Sequence, residues 1–228
     1  MTWALVPAAG GGRRFGGEVP KQYLQAAGKP LIEHALDALL SHPAVDGVVV
    51  ALAEGDARWP GWTQLHGKPV VACVGGGERA DSVLAALHAL PAEVADDELL
   101  LVHDAARPNL RAADITSLIE AAQACAVGAI LAAPVRDTLK RADAATRIGG
   151  TEPRDGLWRA LTPQAFRRDL LLRALEHARS QGLVTTDEAM AVELLGLHPA
   201  LVEGREDNLK VTTPADLALA EFLLANAT

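Results

Sequence analysis

Short apolar runs alternate with helical patterns along most of this chain, and the alternation limits the possible folds more than any other feature. The runs of strand length are Trp3–Pro7, Gly47–Leu52, Pro69–Cys73, Leu99–His103 and Gly128–Ala133. The helical patterns between them, with apolar residues at three- and four-residue spacing, are Leu31–Leu40, Ser82–Leu90 and Ile115–Ala124. Strands that alternate with helices form a mostly parallel sheet with helices on both faces. We therefore predict an α/β fold, with a single Rossmann-like domain over residues 1–228 and a twisted, mostly parallel sheet flanked by helices.

One segment, Arg136–Arg159, interrupts this alternation. It is charged, contains Gly149, Gly150, Pro153 and Gly156, and lacks the apolar stripe of a helix. We interpret residues 136–159 as a protruding β-arm. The rest of the chain is predicted to contain a short strand and three helices: Pro199–Val202, Leu170–Arg179, Asp187–Leu195 and Pro214–Ala225.

Composition excludes several classes of protein. Hydrophobic residues make up 50% of the chain and aromatic residues only 4%, so we expect an aliphatic core. The sequence has no uninterrupted run of 18 apolar residues, so it predicts no membrane span. A net charge of −8 disfavours a nucleic-acid polymer as partner. Cys73 and Cys125 lie singly within apolar runs, which favours buried free thiols in a reducing compartment. We therefore expect a cytoplasmic protein.

A glycine-rich segment follows the first predicted strand directly. It reads AAGGGRRFGG over residues 8–17, and Pro20 and Lys21 follow it. Small residues let backbone N–H groups approach a ligand closely, and Arg13, Arg14 and Lys21 supply positive charge. The segment matches neither a Walker A loop nor a dinucleotide-binding loop. We interpret it as a polyphosphate-binding loop; the alternative is a surface loop whose charges are solvated.

Asp104 lies at the carboxyl end of a predicted strand, directly after the apolar residues 99–102. Ligands of parallel sheets gather at this edge. Mg²⁺ usually takes one or two protein carboxylates and completes its shell with water and phosphate oxygens. We predict that Asp104 contacts Mg²⁺. A second carboxylate follows the last short strand, and spacing alone does not choose between Glu203, Glu206 and Asp207.

Two polar residues near these segments have two interpretations each. Ser82 follows three glycines at residues 75–77 and lies near a predicted helix start, so it either caps that helix or contacts the ligand. His103 precedes Asp104, and we interpret it as a hydrogen-bonded structural residue rather than a general base.

Seven strings in order from residue 6 to residue 214 resemble the 2-C-methyl-D-erythritol 4-phosphate cytidylyltransferase family of the non-mevalonate isoprenoid pathway. They are VPAAGGGRRFGGEVPKQY, GGGERADSV, VHDAARP, APVRDTLKR, RDGLWRALTPQ, TTDEA and VEGREDNLKVTTP. Each string alone is a weak signal, but together they cover nearly the whole chain. The resemblance implies transfer of a cytidylyl group from CTP to methylerythritol phosphate, giving 4-diphosphocytidyl-2-C-methyl-D-erythritol and pyrophosphate.

The resemblance also implies roles for individual residues. Arg14 and Lys21 correspond to catalytic cations that stabilise charge on the five-coordinate α-phosphorus, and no general base is needed because the attacking phosphate oxygen is already ionised. Asp104 and Asp207 correspond to the magnesium-associated carboxylates. The residues that correspond to CTP contacts are Ala8, Ala9, Gly10, Gly76, Arg79 and Ser82. Those that correspond to the methylerythritol phosphate pocket are Arg107, Thr138, Arg154, Thr162, Thr186 and Lys210.

The predicted arm also has a counterpart in the family. There, the counterparts of Thr138 and Arg154 lie on an arm that reaches into the neighbouring subunit, so the resemblance implies a homodimer in which residues 136–159 are exchanged. Gly77 departs from the family, because many relatives carry an acidic residue after the paired glycines. One nucleotide contact is therefore either missing or made by the backbone.

Two other functions fit parts of the pattern. A ribitol 5-phosphate cytidylyltransferase shares the fold and the CTP chemistry, although Arg107-Pro108 and residues 133–138 favour methylerythritol phosphate. A non-catalytic nucleotide-binding regulatory module would keep the glycine-rich loops, but it would not need Arg14 and Lys21 together with two carboxylates.

Overall fold

The computed structural model describes residues 1–10 and 19–226. Its strands are β1 (Thr2–Ala8), β2 (Gln25–Ala26), β3 (Lys29–Pro30), β4 (Gly47–Leu52), β5 (Gln64–Leu65), β6 (Lys68–Val74), β7 (Leu99–Val102), β8 (Ala129–Pro134), β9 (Leu139–Ala142), β10 (Ile148–Glu152), β11 (Trp158–Arg167) and β12 (Ala200–Glu203). Its α-helices are α1 (Leu31–Ser41), α2 (Arg79–His88), α3 (Ala112–Ala124), α4 (Arg168–Ser180), α5 (Glu188–Glu193) and α6 (Pro214–Ala225). A 3-10 helix, Lys21–Tyr23, precedes β2.

The central sheet has eight strands in the order β12-β8-β11-β7-β1-β4-β6-β5. β1 pairs in parallel with β4 and β7, β4 with β6, and β8 with β12. The predicted α/β architecture with a mostly parallel sheet is therefore confirmed. Because β1, β4 and β7 run in the same direction, their carboxyl ends meet at one edge of the sheet.

Strand β11 was not predicted from the sequence. It lies between β7 and β8 and runs antiparallel to both, with a register shift between Ala160 and Gln164. Thr162 and Gln164 are polar but buried within it. The strand therefore shows neither an apolar run nor a regular alternation, which are the two patterns by which strands are recognised.

The core lies on both faces of the sheet, as alternation along β1 requires. Ala4, Val6 and Ala8 point to the side covered by α1 and α3, whereas Trp3 and Leu5 point to the side covered by α2 and α4. Gly47 begins β4 beside Trp3, where a Cβ atom would lie 2.6 Å from the indole ring. A glycine at this position therefore lets β1 and β4 pair around the large indole.

Strands β9 and β10 form a two-stranded antiparallel sheet of their own within residues 136–159. Most of its side chains are exposed. We call residues 139–152 the hairpin. Its role as a dimerisation arm stays a prediction at this point.

Two expectations from composition have different outcomes. Cys73 and Cys125 carry free thiols, but both residues are half-buried, so the prediction that they are buried was wrong. The reason is their position: Cys73 lies on the next-to-last strand of the sheet, and Cys125 follows the last turn of α3. Within residues 1–10 and 19–226, every helix is too short or too polar to span a bilayer.

Candidate active site

A cleft opens at the carboxyl ends of β1 and β7, which is where ligands of parallel sheets bind. The 3-10 helix, the first turn of α2 and the segment before α6 complete its wall. The cleft and the open solvent at its mouth together span about 600 Å³. The predicted residues that line it are Ala8, Ala9, Gly10, Lys21, Gly76, Arg79, Ser82, Asp104 and Lys210. All six predicted CTP contacts therefore lie together with Lys21 and Asp104.

The other predicted residues are placed differently. Arg14 belongs to residues 11–18 and so lies outside the described part of the chain. Arg107 and Thr162 contact Asp104 without lining the cleft. Thr138, Arg154, Thr186 and Asp207 lie elsewhere on the described surface.

Asp104 is the centre of a buried cluster of charges. It is 6% exposed, and its Oδ1 accepts a hydrogen bond of 2.9 Å from Arg79 Nε. Its Oδ2 lies 2.8 Å from Lys210 Nζ and 3.5 Å from Arg107 Nε. Burial alone would raise the pKa of Asp104, but Arg79, Lys210 and Arg107 hold that pKa well below its ordinary value. Asp104 is therefore a fixed negative charge at neutral pH.

Arg79 joins Asp104 to a second buried carboxylate, Glu188, which sequence reasoning missed. Both Nη atoms of Arg79 donate to Glu188, one of them over 3.0 Å, and Glu188 is 1% exposed. Burial lowers the pKa of Arg79, but Glu188 and Asp104 outweigh it and raise that pKa. Arg79 lines the cleft while its donors are directed to these carboxylates, so its first role in this structure is to hold the cluster together.

Gln164 fixes the start of α5, from which Glu188 projects. The Gln164 side chain is fully buried on β11; its Nε2 donates to Asp187 Oδ2 over 2.9 Å, and its Oε1 accepts from the Ala189 N–H over 2.9 Å. Asp187 in turn caps α5 by accepting from the Met190 N–H. The string TTDEA marked this turn in the sequence, but only the long-range contacts show which of its residues face the cluster.

Thr162 and His103 form a hydrogen-bonded chain that begins at the Asp104 main chain. The Asp104 N–H donates to Thr162 Oγ1 over 3.0 Å, and Thr162 Oγ1 also lies 3.0 Å from His103 Nδ1. His103 Nε2 lies 3.1 Å from the Arg107 carbonyl oxygen, so we assign the imidazole proton to Nε2 and the Thr162 proton to the bond with Nδ1. Burial lowers the pKa of His103 to about 4, and the residue is neutral at pH 7. The interpretation of His103 as structural agrees with these contacts.

Asn208 attaches the Lys210 segment to the sheet, and it was also missed. It is fully buried, and its Nδ2 donates to the Thr162 carbonyl oxygen over 2.7 Å. Arg107 Nη1 donates to the Asn208 carbonyl oxygen over 2.7 Å. Arg107 is thus committed to the protein interior, and its predicted contact with a substrate phosphate stays a prediction.

Two of the three glycines at residues 75–77, Gly76 and Gly77, line the cleft. A Cβ on Gly75 would lie 2.7 Å from Ala9 Cβ and 2.8 Å from Ser82 Oγ, so only glycine permits this close approach. Ser82 Oγ accepts from the Gly76 N–H over 3.1 Å, and α2 begins three residues earlier with Glu78 as its N-cap. The interpretation of Ser82 as a helix cap was therefore wrong. Gly77 faces open space, which leaves room for the acidic side chain of the family.

Asp207, the second predicted magnesium ligand, lies outside the cleft lining and pairs with Arg205. Arg205 Nε donates to Asp207 Oδ1 over 2.9 Å, and a second guanidinium nitrogen contacts Oδ2. Among the described residues, no group of three or more His, Cys, Asp or Glu side chains is arranged to hold a metal ion. Mg²⁺ that is bound to a nucleotide usually takes only one or two protein carboxylates. Such a site does not require a group of three protein ligands.

The remaining predicted contacts are exposed. Thr138 and Arg154 flank the hairpin, and Arg154 Nη1 donates to the Arg136 carbonyl oxygen. Thr186 is exposed beside Met190, whose sulfur lies 3.6 Å from its hydroxyl. Within this one chain, these three residues are not gathered around the cleft.

The sequence and the fold both match known proteins. A family model described as 2-C-methyl-D-erythritol 4-phosphate cytidylyltransferase matches residues 2–226. The 2-C-methyl-D-erythritol 4-phosphate cytidylyltransferase of Xanthomonas campestris pv. campestris (strain 8004) is 65% identical over 225 residues, which are 99% of this chain and 85% of that protein. A crystal structure of a 4-diphosphocytidyl-2C-methyl-D-erythritol synthase superposes with a TM-score of 0.82 at 38% identity and covers 98% of each chain. The Francisella tularensis 2-C-methyl-D-erythritol 4-phosphate cytidylyltransferase superposes with a TM-score of 0.82 at 32% identity, over 97% of this chain and 98% of that one.

Proposed function

The chain belongs to the 2-C-methyl-D-erythritol 4-phosphate cytidylyltransferase family, and we propose that the family's reaction takes place in the cleft at the ends of β1 and β7. The reaction transfers a cytidylyl group from CTP to 2-C-methyl-D-erythritol 4-phosphate in isoprenoid precursor biosynthesis. A phosphate oxygen of the acceptor forms a bond to the α-phosphorus of CTP, and the bond from that phosphorus to the β-phosphate oxygen breaks. Pyrophosphate leaves with the electron pair of the broken bond.

The observation that carries this proposal is the cluster of fixed charges beside a floor of small residues. Ala8, Ala9 and Gly10 leave space and main-chain groups for the nucleotide, as do Gly76 and Ser82 on the opposite wall. Lys21 lines the same cleft, and with Arg14 it neutralises the negative charge on the oxygens of the α-phosphate. Donors held in place by the fold need no reorganisation during the reaction, and this is the usual source of catalysis in phosphoryl transfer.

Asp104 suits a magnesium ion that arrives with CTP, and Asp207 is the second candidate. A carboxylate offers about four acceptor positions, and those of Asp104 receive Arg79 and Lys210, with Arg107 at 3.5 Å. One further contact, direct or through a water molecule, is compatible with this arrangement. When bound, Mg²⁺ would neutralise charge on the phosphates of CTP.

The acceptor pocket is proposed to be completed by a second subunit. Lys210, Arg107 and Thr162 lie at or behind the cleft, whereas Thr138, Arg154 and Thr186 are exposed in the single chain. The segment around the hairpin also exposes apolar side chains: Ile148 (72%), Leu157 and Trp158. Large apolar side chains that a single chain leaves exposed are often covered at a protein interface. These features support a homodimer in which residues 136–159 of one subunit reach the cleft of the other.

We place this enzyme in the cytoplasm. Cys73 and Cys125 both carry free thiols, and both are half-buried. Free thiols are kept reduced in the cytosol, whereas they are rare in oxidising compartments.

The function is tested by measuring pyrophosphate release from CTP with methylerythritol phosphate, with ribitol 5-phosphate and without an acceptor. Release with methylerythritol phosphate alone is the expected result. Equal release with ribitol 5-phosphate would overturn the choice of acceptor. CTP binding without release under any of the three conditions would indicate the regulatory module.

The role of Lys21 is tested with the Lys21→Ala variant. We expect turnover to fall by about 10²- to 10³-fold while CTP affinity changes little, because the ammonium group acts chiefly in the transition state. Lys29→Ala is the matched control, since Lys29 pairs with Asp37 on the surface away from the cleft. Wild-type turnover of Lys21→Ala would show that the catalytic charge lies elsewhere.

A further inference from the structure

The 3-10 helix that carries Lys21 consists of three residues, Lys21–Tyr23. Main-chain hydrogen bonds close the turn itself, from the Tyr23 N–H to the Pro20 carbonyl over 2.9 Å and from the Leu24 N–H to the Lys21 carbonyl over 3.1 Å. A single turn of this kind has poor hydrogen-bond geometry and little stability of its own. Its position relative to the cleft must therefore come from side chains that fasten it to the rest of the fold.

Gln22 makes the first of these attachments. It is 3% exposed, and its Nε2 donates to the Ala8 carbonyl oxygen over 2.7 Å. Ala8 is the last residue of β1 and forms part of the cleft floor. The bond thus joins the turn with Lys21 directly to the surface that receives the nucleotide.

Tyr23 makes the second attachment, on a different element. Its hydroxyl donates to Asp56 Oδ2 over 2.7 Å, and Asp56 lies in the loop that follows β4. Burial and the neighbouring Asp56 raise the pKa of Tyr23, so the hydroxyl keeps its proton and remains a donor. The end of β1 and the loop that follows β4 therefore hold the turn, one through each side chain.

We propose that Gln22 is a positioning residue for the transfer reaction: its buried carboxamide fixes the turn so that the Lys21 ammonium group faces the reacting phosphate. The proposal rests on the role of Lys21 in the proposed function. A misplacement of a catalytic group by about 1 Å can cost on the order of 10²-fold in rate. A hydrogen bond that fixes Lys21 against Ala8 is therefore expected to act on turnover rather than on CTP affinity.

The test compares Gln22→Met with the wild-type enzyme, because methionine has nearly the same length and volume but no N–H donor. We expect kcat to fall by about 10- to 100-fold, while the Kd of CTP measured by calorimetry without acceptor stays within about twofold. Lys68→Met is the matched control: Lys68 Nζ also donates to a carbonyl oxygen, that of His42, but at the opposite end of the sheet. This control should retain wild-type kcat.

A double variant separates positioning from a general loss of structure. In the Lys21→Ala background, Gln22→Met should cause no further loss of kcat, because the group that Gln22 positions is already absent. A further loss equal to that of Gln22→Met alone would overturn the proposal, and so would unchanged kcat of the single variant. An increase in the Kd of CTP at unchanged kcat would also overturn it, by showing that Gln22 contacts the nucleotide itself.

Two points keep the test decisive. If Gln22→Met does not fold, Gln22→Asn, which retains the donor on a shorter stem, is measured instead, with the same expected loss of kcat and the same double variant. If Lys21→Ala retains wild-type turnover, the role of Lys21 in the proposed function fails. If Lys21→Ala loses turnover and the folded Gln22 variants do not, only the positioning role of Gln22 fails.

Discussion

The charged residues around Asp104 and those of the hairpin are of the same kinds, but the fold holds them differently. Asp104 is buried among three cations from α2, the segment after β7 and the segment before α6. Arg141 and Glu152 pair across β9 and β10 over 2.6 Å, yet the Arg141 side chain is 70% exposed. Breaking a buried pair leaves an uncompensated charge away from water, whereas an exposed pair exchanges its partner for water. One chain therefore completes the cluster around Asp104, and the charged residues of the hairpin remain accessible for another partner.

The largest effect is expected from Asp104→Asn. This variant leaves Arg79, Arg107 and Lys210 with Glu188 as the remaining buried carboxylate of the cluster, and the loss of one partner of a buried pair costs about 3–5 kcal/mol. We also expect turnover to fall by about 10²- to 10³-fold, because the cations and any bound Mg²⁺ lose the carboxylate that holds them in position. Thermal unfolding and pyrophosphate release measure the two effects. The control is Asp37→Asn, which breaks a more exposed pair with Lys29 and should leave turnover unchanged. If Asp104→Asn folds and its turnover is within tenfold of the wild-type value, this view of the cluster is contradicted.

A smaller loss, on the order of tenfold in turnover, is expected from Arg154→Ala, because a substrate phosphate would lose one bidentate donor. The informative measurement mixes Arg154→Ala with Lys21→Ala after subunit exchange. If residues 136–159 reach the partner's cleft, each mixed dimer has one site with both Lys21 and Arg154 intact. Half of the dimers are mixed and half of their sites are intact, so about a quarter of wild-type activity should return in this symmetric arrangement. If activity stays at the sum of the two separate variants while exchange is confirmed, the arm does not cross between subunits.

The same contrast explains what the sequence could predict. The positions of β1, β4 and β7 followed from apolar runs, and the site followed from a general rule about the carboxyl ends of parallel strands. Glycines and Lys21 after β1, and Asp104 after β7, are local signals that need no knowledge of distant contacts. For this reason all six predicted CTP contacts lie in one cleft.

The residues that support the site could not be found in this way. Glu188 contacts Arg79 across 109 positions of sequence, Asn208 contacts Thr162 across 46, and Gln164 contacts Asp187 across 23. Their partners are determined by tertiary packing, and spacing within a segment carries no information about it. Strand β11 was missed for a related reason, because its buried polar residues are satisfied by other segments and interrupt the apolar pattern.

An intermediate effect, on stability rather than turnover, is expected from the pH dependence of unfolding. The pKa of His103 is about 4 in the folded protein and about 6.5 in the unfolded chain. The unfolded chain therefore binds more protons between these values, so the contribution of neutral His103 is complete above pH 6.5 and is lost as the pH falls to 4. The slope is at most about 1.4 kcal/mol per pH unit. His103→Gln should flatten the pH dependence of the free energy of unfolding between pH 4 and 6.5. The control is His177→Gln on the exposed face of α4, which should leave this dependence unchanged. An unchanged slope in His103→Gln would mean that water reaches His103.

The smallest effect is expected at the hairpin, and there an absence of change is the informative result. Arg141→Ala and Glu152→Ala each remove one partner of an exposed ion pair, and most such pairs contribute little because water and salt screen them. The free energy of unfolding should therefore show no measurable coupling between the two substitutions in a double-mutant cycle. The measurement is made at a protein concentration low enough for the single chain to dominate and is then repeated at high concentration. Coupling that is present only at high concentration would show that a second subunit covers the hairpin. Coupling at both concentrations would mean that the pair is buried within one chain, and the contrast with Asp104 would then not hold.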